Sequence, residues 1–481
     1  MRKLENNSIF KTYDIRGKVP IQLNQRVAFL IGKAILRWLY LQTKLPKLKV
    51  LINYDLRESS YKIKQALSLG IKSEGGEVID GGISSTPMHY FIAFSAKKLL
   101  KKEIDLFLMI TASHNPWQEN GIKITGKDLK PIFKGNGLEE IEKIYQKLTE
   151  EVQIPKFQFS QTATHRAQIN EFFLKKYQLF LKKKFKKIDF NFLKNFKIAF
   201  EFLGAPSSFV FKKFFENKAL NLIFLDEFPS KGLPTPNFFE PKTKKYLLKK
   251  IKPLKIDFGF VFDGDGDRVG FLENEGKVLE GDKLGSFLLE KAIKFKKKAK
   301  VVVALNSETF LIQETIKKLG FKKIISLPGH SLMKLKMREE KAVFGFEKTG
   351  HFYFKENFYF DSGEFACLKF LEILSQKRLK PEKIFLKFKS FPQKLILFKK
   401  TKNFERLKKI IFIDFLNKGL TNERLIKKIS FLDGIKIEGK DFWFILRESK
   451  TQPYFKLFLE AKSKRILDFY LKKIRNLLRK I

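Results

Sequence analysis

The chain is predicted to be an α/β protein with a smaller α+β region at its C-terminal end. Its 481 residues allow several domains and a substantial core. Short apolar runs alternate with lysine-rich amphipathic stretches through the first three quarters, whereas strand-like runs follow one another closely after that. Strands that alternate with amphipathic helices are typical of α/β layers, which is the basis of the prediction.

Each element has its own pattern. The stretch Val27 to Leu41 predicts an amphipathic helix, because Lys33 and Arg37 interrupt its apolar residues. Buried strands are predicted at Lys49 to Asn53, Glu77 to Asp80, Ile104 to Ile110, Lys197 to Phe202, Leu222 to Leu225, Ile256 to Val261, Val301 to Leu305 and Lys323 to Leu327. The C-terminal region predicts a basic helix from about Ser463, preceded by strands at Lys394 to Phe398, Ile435 to Glu438, Phe442 to Leu446 and Phe455 to Glu460.

A serine follows one of these strands in a tight polar turn. The turn is Thr111-Ala-Ser-His-Asn-Pro116, and Lys123 stands ten residues beyond Ser113. A serine at a strand end, in a loop restricted by proline and glycine, is placed to carry or receive a chemical group. The alternative is an ordinary Asn-Pro turn that contains a serine, and the turn alone does not decide between the two.

Three carboxylates alternate with glycines directly after a second strand, at Asp263, Asp265 and Asp267. The glycines let the backbone curl until the carboxylates face one point, where they repel one another unless a hard cation lies among them. Oxygen ligands alone favour Mg²⁺ over zinc. A calcium EF-hand is excluded, because that loop needs glycine where Arg268 stands and glutamate where Asn274 stands. An acidic surface turn is the structural alternative.

These two loops, in this order, resemble the α-D-phosphohexomutase superfamily, especially its bacterial phosphomannomutase/phosphoglucomutase branch. Gly345-Phe-Glu-Lys-Thr-Gly-His351 is similar to the sugar-binding loop of the family, and Arg447-Glu-Ser-Lys-Thr-Gln-Pro453 to its phosphate-binding loop. The resemblance spans almost the whole chain and is weakest between residues 157 and 255. Shorter matches occur at Phe10-Lys-Thr-Tyr-Asp-Ile-Arg-Gly17, Tyr54-Asp-Leu-Arg-Glu-Ser-Ser60, Ser85-Thr-Pro87 and Gly329-His-Ser-Leu332.

The resemblance implies an architecture of three similar α/β domains with mixed sheets and a C-terminal α+β domain, arranged around a central cleft. The sequence shows breaks near residues 153–162, 272–281 and 379–388. The expected domains are therefore residues 1–155 with the phosphoserine loop, 156–277 with the metal-binding loop, 278–382 with the sugar-binding loop and 383–481 with the phosphate-binding loop.

The resemblance also implies an activity. A phosphohexomutase interconverts hexose 1-phosphate and hexose 6-phosphate, here of mannose or glucose, through a phosphoserine and a bisphosphorylated sugar. A phosphorylated serine is a ready donor when a cation neutralises its charge. Ser113 would be the phosphoserine, and one of its oxygens would bind Mg²⁺ together with Asp263, Asp265 and Asp267. Glucose 1,6-bisphosphate, or an equivalent, is the implied activator.

Further site residues are assigned by the motifs that they occupy. Arg268 is expected to bind the transferring phosphate with its guanidinium group. Candidates for proton transfer or charge stabilisation are Arg16, Lys123, His330 and His351. The sugar and its second phosphate would be bound by Tyr13, Glu347, Thr349, Arg447, Ser449, Lys450, Thr451 and Lys456.

Several positions depart from the family pattern in the loops that would set sugar preference. Phe346 stands where glycine is usual, and its bulk is expected to narrow the sugar site or to shift the loop glutamate. In the phosphate loop, the usual asparagine is replaced by Lys450, the usual glutamate by Gln452 and a frequent arginine by Lys456. The loop therefore stays cationic. No lysine stands near Asn306-Ser307, where some hexomutases have one. A phosphoglucosamine mutase is therefore the enzymatic alternative.

The net charge is the most unusual property of the chain. There are 97 Lys and Arg against 51 Asp and Glu, which gives +46 at pH 7. Such a charge commonly indicates nucleic acid or an anionic membrane as partner. The lysines are spread over all regions, however, and no recognition motif accompanies them. Hexose phosphates are therefore the expected partners, and a basic nucleic-acid-binding protein on the same scaffold is the non-enzymatic alternative.

Targeting signals and cysteine content bear on location. Cys367 is the only cysteine, which excludes an intrachain disulfide and fits a reducing compartment. Residues 1–9 contain no apolar signal segment, and no uncharged segment reaches the length of a membrane span. The chain is expected to be soluble and cytoplasmic, without a membrane partner.

Overall fold

The computed structural model describes residues 8–151, 169–292, 298–399, 404–419, 426–448 and 454–478. The helices are α1 (Gln25–Thr43), α2 (Ser60–Ser73), α3 (Thr86–Leu100), α4 (Leu138–Glu151), α5 (Glu171–Lys184), α6 (Phe190–Leu193), α7 (Ser207–Phe215), α8 (Pro241–Ile251), α9 (Gly281–Ala292), α10 (Phe310–Lys318), α11 (His330–Glu339), α12 (Gly363–Gln376), α13 (Pro381–Ile384), α14 (Phe404–Gly419) and α15 (Lys464–Leu478). The strands are β1 (Ile15–Lys18), β2 (Lys49–Tyr54), β3 (Glu77–Ile83), β4 (Leu106–Ile110), β5 (Glu119–Gly126), β6 (Pro131–Ile132), β7 (Lys197–Glu201), β8 (Asn221–Leu225), β9 (Phe258–Phe262), β10 (Val269–Leu272), β11 (Lys300–Ala304), β12 (Lys322–Ser326), β13 (Phe344–Glu347), β14 (His351–Phe354), β15 (Gln393–Lys399), β16 (Ile426–Ser430), β17 (Ile435–Gly439), β18 (Phe442–Glu448) and β19 (Tyr454–Ala461).

The first three sheets share one arrangement, in which three parallel strands are followed by an antiparallel fourth. The strand order is β3-β2-β4-β5 in the first sheet, with β1 and β6 added to β5. It is β8-β7-β9-β10 in the second and β12-β11-β13-β14 in the third. The fourth strand pairs antiparallel with the third parallel strand in each case. The predicted α/β class with mixed sheets is confirmed.

The fourth sheet is entirely antiparallel, in the order β15-β19-β18-β17-β16. Residues of alternate positions on its strands, such as Phe444 and Leu457, pack with α14 and α15 in a separate core. The opposite face of the sheet carries Trp443 and Ile445, which pack against Leu305 beyond β11. The predicted C-terminal α+β domain is confirmed, and β16 and α14 are elements that the sequence analysis did not predict.

Phenylalanine fills the core between the second and third sheets. The ring of Phe370 on α12 lies 5.1 Å from that of Phe271 on β10 and 4.9 Å from that of Phe287 on α9. The helix α12 follows the third sheet in sequence, and through these contacts it packs against β10 of the second sheet and against α9. Many of the 54 phenylalanines are therefore explained by burial, because aromatic side chains bury a large apolar area each.

The predicted strands and the helix over residues 27–41 are present, with ends within three residues of those expected. Each sheet lies inside one of the four expected domains, whereas the boundaries themselves stay predictions. The expected break at residues 153–162 lies outside the described residues. Among the residues that the structure describes, no helix has both the length and the hydrophobicity needed to cross a membrane.

Candidate active site

The serine loop connects β4 to β5 and holds Ser113 in an unusual backbone conformation. Ser113 has φ of 51°, in the left-handed region that few non-glycine residues adopt, and its side chain is buried. The Thr111 hydroxyl accepts a hydrogen bond from the Ser113 N–H at 2.9 Å. A buried residue in this conformation is maintained only when its surroundings determine it, and such residues cluster at functional sites.

Arg57 determines the shape of this loop, and the sequence analysis assigned it no role. Its Nη2 donates to the carbonyl oxygens of Ser113 and Asn115 at 2.7 and 2.8 Å, and its Nη1 donates to those of Pro116 and Glu119 at 2.8 and 3.0 Å. The guanidinium is buried over the Trp117 ring. The match at residues 54–60 was a signal for this residue, but nothing local showed that it reaches the serine loop.

The metal loop connects β9 to β10 and lies against the serine loop. Asp263, Asp265 and Asp267 are buried, and one oxygen of each lies within 4.8 Å of the others. The Ser113 hydroxyl donates to Asp263 Oδ2 at 2.7 Å. Burial, together with the two neighbouring carboxylates, raises the pKa of Asp263 well above its ordinary value. The loop therefore concentrates negative charge that a cation is able to relieve.

Glycine is required at two positions of the metal loop by close contacts, one with the serine loop and one with α7. A Cβ on Gly264 would lie 2.7 Å from the Ser113 carbonyl oxygen. Gly266 has φ of 75°, and a Cβ there would lie 2.0 Å from the Ser207 hydroxyl oxygen. Any larger residue at either position would move the carboxylates relative to Ser113.

Lys123 contacts two of the three carboxylates from the antiparallel strand β5. Its Nζ lies 2.7 Å from Asp265 Oδ2 and 2.7 Å from Asp267 Oδ2, and the side chain is buried. Burial alone lowers the pKa of Lys123, but the two carboxylates raise it well above its ordinary value. The lysine is therefore a charged group at neutral pH, close to Ser113.

Arg16 on the first strand contacts the serine loop, and His330 of α11 lies near Asp14, the ion-pair partner of Arg16. Arg16 forms an ion pair with Asp14 at 2.8 Å and donates to the carbonyl oxygen of Ala112. His330 Nε2 lies 3.9 Å from Asp14 Oδ2. Burial, and then the nearby charge of Lys334, lower the pKa of His330 to about 4, so its imidazole is neutral at pH 7.

Arg268 and His351 join the metal loop to the sugar loop. Arg268 Nε donates to His351 Nε2 at 2.8 Å, and the two residues form an antiparallel bridge. His351 Nδ1 lies 2.9 Å from Asp361 Oδ2. Asp267, His351 and Asp361 form a second group with metal-ligand spacing, but the ammonium group of Lys334 lies 3.2 Å from Asp361. The positive charge of Lys334 therefore already balances the negative charge of the Asp361 carboxylate.

The sugar loop connects β13 to β14. Glu347 Oε1 accepts from the Gly329 N–H at 3.1 Å, and Glu347 Oε2 accepts from the Tyr353 hydroxyl at 2.7 Å. Thr349 is exposed. Tyr13, half-buried, donates its hydroxyl to the Pro328 carbonyl at 2.6 Å. The carboxylate of Glu347 is thus held in place before any ligand binds.

The expectation that Phe346 narrows the sugar site is wrong. Phe346 and Glu347 are neighbours on a strand, so their side chains point to opposite faces. Phe346 is fully buried and packs on Gly285 of α9, where a Cβ would lie 2.7 Å from its ring. The glycine on the helix makes room for the phenylalanine, and Glu347 keeps its two hydrogen bonds.

Two basic residues of the expected phosphate site face each other on the fourth sheet. Arg447 on β18 and Lys456 on β19 are paired in register. Arg447 forms an ion pair with the buried Asp433. Burial, then Arg447 and Arg268, lower the pKa of Lys456, which shows that the fourth sheet and the metal loop contribute charge to one region. Ser449, Lys450, Gln452 and Thr451 lie outside the described residues.

Three family models match the chain in consecutive segments. Their descriptions are phosphoglucomutase/phosphomannomutase alpha/beta/alpha domain I at residues 7–152, domain II at residues 175–276 and domain III at residues 280–391. The matched segments include the serine loop, the metal loop and the sugar loop respectively.

Similar proteins match over nearly the full length. A phosphomannomutase of Methanocaldococcus jannaschii is 30% identical over 98% of this chain and 98% of that protein. A phosphoglucosamine/phosphogalactosamine mutase of Sulfurisphaera tokodaii is 28% identical over 96% of each. The crystal structure of a phosphoglucomutase/phosphomannomutase family protein from Burkholderia thailandensis has a TM-score of 0.79 at 24% identity, covering 98% of this chain and 97% of that chain.

Proposed function

The chain belongs to the phosphoglucomutase/phosphomannomutase family, and on that premise we propose that it is a phosphohexomutase. It interconverts hexose 1-phosphate and hexose 6-phosphate, with mannose and glucose phosphates as the first-choice substrates. The observation that carries this proposal is the contact of the Ser113 hydroxyl with Asp263 at 2.7 Å, because it places a single serine at the cluster of three carboxylates.

The chemistry begins from phosphorylated Ser113. The bond between phosphorus and the serine Oγ breaks, and a new bond forms between phosphorus and the free hydroxyl of a hexose phosphate. The hydroxyl proton passes to a base of the site, and the serine oxygen is protonated. The resulting bisphosphorylated sugar turns over and returns its other phosphoryl group to Ser113, so the phosphate has moved between the two positions of the sugar.

Charge stabilisation by this chain supports that reaction. The guanidinium of Arg268 lies beside the metal loop and is suited to a planar phosphoryl group. The ammonium group of Lys123 and the guanidinium of Arg16 add positive charge near Ser113. The proposed candidates for the proton transfer are Arg16, Lys123, His330 and His351.

The residues of the metal loop fit Mg²⁺, which is the cofactor that we propose. Their donors are carboxylate oxygens, and Asp265 Oδ1 and Asp267 Oδ1 are buried without a hydrogen bond from the part of the chain that the structure describes. Asp263, Asp265 and Asp267 would hold the ion together with an oxygen of phosphorylated Ser113. When bound, Mg²⁺ neutralises the charge of the phosphoryl group and of the leaving serine oxygen.

Substrate binding is proposed at two places. The phosphate that is not reacting would be bound by Arg447 and Lys456, together with the predicted Ser449, Lys450 and Thr451. Glu347 has a carboxylate already fixed by two donors and would accept hydrogen bonds from sugar hydroxyls, together with Thr349. Tyr13, whose hydroxyl donates to the Pro328 carbonyl oxygen, is proposed to bind the substrate as well. Glucose 1,6-bisphosphate is the proposed activator, because it is able to phosphorylate Ser113. The proposed location of the protein is the cytoplasm.

A phosphoglucosamine mutase is the second candidate, and the similarity to the Sulfurisphaera tokodaii protein favours keeping it. Both candidates use the same serine and metal loops, so the choice between them concerns the sugar alone. A dedicated nucleic-acid-binding role is not proposed, because the three loops of the site are intact.

Phosphorus NMR of the purified protein tests the proposal. The protein is mixed with Mg²⁺, a trace of glucose 1,6-bisphosphate and, in turn, the phosphates of mannose, glucose and glucosamine. We expect interconversion of 1-phosphate and 6-phosphate that Ser113→Ala abolishes and that Ser230→Ala, at an exposed serine, retains. The sugar converted fastest identifies the preferred substrate. A folded, phosphorylated protein that converts none of the sugars would refute the enzyme.

A further inference from the structure

Lys348 belongs to the sugar loop but has no role in the chemistry above. It stands between Glu347 and Thr349, the two residues proposed to bind the sugar. Its N–H donates to the Ser307 hydroxyl oxygen at 2.9 Å, and a Cβ on Gly281 would lie 2.2 Å from its carbonyl oxygen. The backbone of the loop is therefore packed between the segment after β11 and the start of α9.

The side chain of Lys348 reaches across to the fourth sheet. Its ammonium group donates to Gln393 Oε1 on β15 and lies 4.4 Å from the centre of the Phe458 ring on β19. A cation over an aromatic face is attracted by the ring, and more strongly where water is partly excluded. The same nitrogen lies 4.0 Å from Glu280 Oε2, next to α9. Lys348 thus joins the sugar loop to two strands of another sheet.

Phe458 lies between two residues that share its face of β19. Side chains at alternate positions of a strand share a face, so Lys456, Phe458 and Glu460 form one row with about 7 Å between neighbours. At one end of the row, Glu460 Oε2 accepts from the Phe310 N–H at 2.8 Å, which connects it to α10. At the other end, Lys456 is paired with Arg447 in the proposed phosphate site. Lys348 therefore contacts the row one position away from that site.

A buried ion pair connects the third and fourth sheets at a second place. The ammonium group of Lys436 on β17 contacts the carboxylate of Glu308, which follows β11, and both side chains are buried. Lys323 Nζ lies 2.5 Å from the other oxygen of the same carboxylate. Breaking a buried pair of this kind is strongly destabilising, so it holds the two sheets together independently of Lys348. Loss of the Lys348 ammonium group is therefore expected to act locally, on the sugar loop.

We propose that Lys348 is a positioning residue, which sets the distance between the sugar-binding Glu347 and the phosphate-binding pair of Arg447 and Lys456. The inference rests on the proposed phosphohexomutase function. A hexose phosphate must reach both places at once, so its affinity depends on their spacing. An ion that binds the phosphate site alone does not depend on that spacing. Lys348 itself does not touch the substrate.

The substitution Lys348→Met removes the ammonium group and keeps a long side chain. We expect the KM for the preferred hexose phosphate to rise about tenfold while kcat changes less than about threefold, because the two anchors bind the ground state and the transition state alike. At constant ionic strength, the inhibition constant of inorganic phosphate, which has no sugar, is expected to stay within about twofold. Equal rises in both constants would overturn the proposal, because the phosphate site itself would then be altered.

Two further variants separate the contact from a general effect of losing a lysine. Lys317→Met, at an exposed lysine of α10, is the matched control and is expected to leave both constants unchanged. Lys348→Arg is expected to keep the KM within about threefold of the unmodified protein, because a guanidinium also donates to an amide oxygen and stacks on a ring. A KM for Lys348→Arg as high as that for Lys348→Met would contradict the positioning role. Thermal unfolding confirms that each variant is folded.

A substitution on the other side of the contact tests whether the effect passes through it. Gln393→Leu is expected to raise the KM about threefold, since it removes the amide acceptor but leaves the Phe458 ring. The double variant Lys348→Met/Gln393→Leu is expected to have the KM of Lys348→Met alone, because both changes remove the same contact. If the two effects multiply instead, Lys348 acts on the substrate directly and the positioning role is refuted.

These measurements separate failure of the inference from failure of the function. If the unmodified protein converts no hexose phosphate, the proposed function fails and this inference falls with it. If the unmodified protein is an active mutase and a folded Lys348→Met variant keeps its KM within about twofold, the inference alone is refuted.

Discussion

At the scale of single residues, the site depends on one guanidinium that binds the outside of the serine loop. Four carbonyl oxygens of that loop accept from Arg57, and the left-handed conformation of Ser113 needs such support. Buried carbonyl groups require donors, and a charged donor is stronger than a neutral one. Arg57 therefore contributes to the position of the serine oxygen without contacting the substrate.

Arg57→Lys keeps the positive charge but removes the planar fork. An ammonium group is unable to reach four carbonyl oxygens in this geometry, so at least one buried acceptor loses its donor, at a cost of about 1–3 kcal/mol. We expect kcat to fall about 10²-fold, since a displacement of about 1 Å at a reacting group has effects of that size. Steady-state kinetics with hexose phosphate measure the change.

The control for this substitution is Arg465→Lys at an exposed arginine of α15. It makes the same chemical change far from the serine loop and is expected to leave kcat unchanged. A folded Arg57→Lys variant with the kcat of the unmodified protein would show that the loop keeps its shape without the fork.

At the scale of elements, the three functional loops occupy one topological position. Each connects the third parallel strand of a sheet to the antiparallel fourth: β4 to β5, β9 to β10, and β13 to β14. Loops beyond the carboxyl ends of parallel strands share one edge of their sheet, which is where α/β proteins place their ligands. The repeated arrangement explains how residues 113, 267 and 351, far apart in sequence, come together.

The packing of α9 on β13 makes a prediction in which two effects oppose each other. An alanine in place of a glycine inside a helix ordinarily stabilises it by about 1 kcal/mol. At Gly285 the added Cβ would lie 2.7 Å from the Phe346 ring, so we expect Gly285→Ala to destabilise the protein by about 1–3 kcal/mol. Thermal unfolding of the single variant measures the sign.

A double-mutant cycle isolates the contact between these two elements. In a Phe346→Leu background the ring is absent, and Gly285→Ala is expected to become neutral or stabilising. If Gly285→Ala stabilises both backgrounds equally, the phenylalanine does not restrict the helix.

At the scale of the whole molecule, the net charge of +46 is the dominant property. A field of this size attracts anionic substrates and is screened by salt over about 10 Å at 0.1 M ionic strength. We expect the KM for hexose phosphates to rise several-fold between about 20 and 200 mM salt, while kcat changes little. Steady-state kinetics over this range measure both constants.

Competition by the added anion at the phosphate site would produce a similar rise in KM. Sodium chloride and potassium glutamate are therefore compared at equal ionic strength, because screening predicts the same effect for both. A KM that follows the identity of the anion, or that does not change with salt, would count against electrostatic attraction of the substrate.

The sequence by itself determined the fold class and the three local loops of the site. Alternating apolar and amphipathic runs predicted the strands because burial follows the period of each element. Each of the loops around Ser113, Asp263 and His351 is a single contiguous stretch of sequence, so its chemistry could be recognised without coordinates.

Tertiary structure alone decided how these loops are supported. Arg57 reaches carbonyl groups of residues 113–119, and Asp361 Oδ2 lies 2.9 Å from His351 Nδ1 although ten residues separate them in sequence. The effect of Phe346 also depended on a glycine of another element, Gly285. Local sequence patterns indicate which residues are buried. The partner of a buried side chain, however, is set by packing between segments that are distant in sequence. No single stretch of the chain therefore specifies that partner.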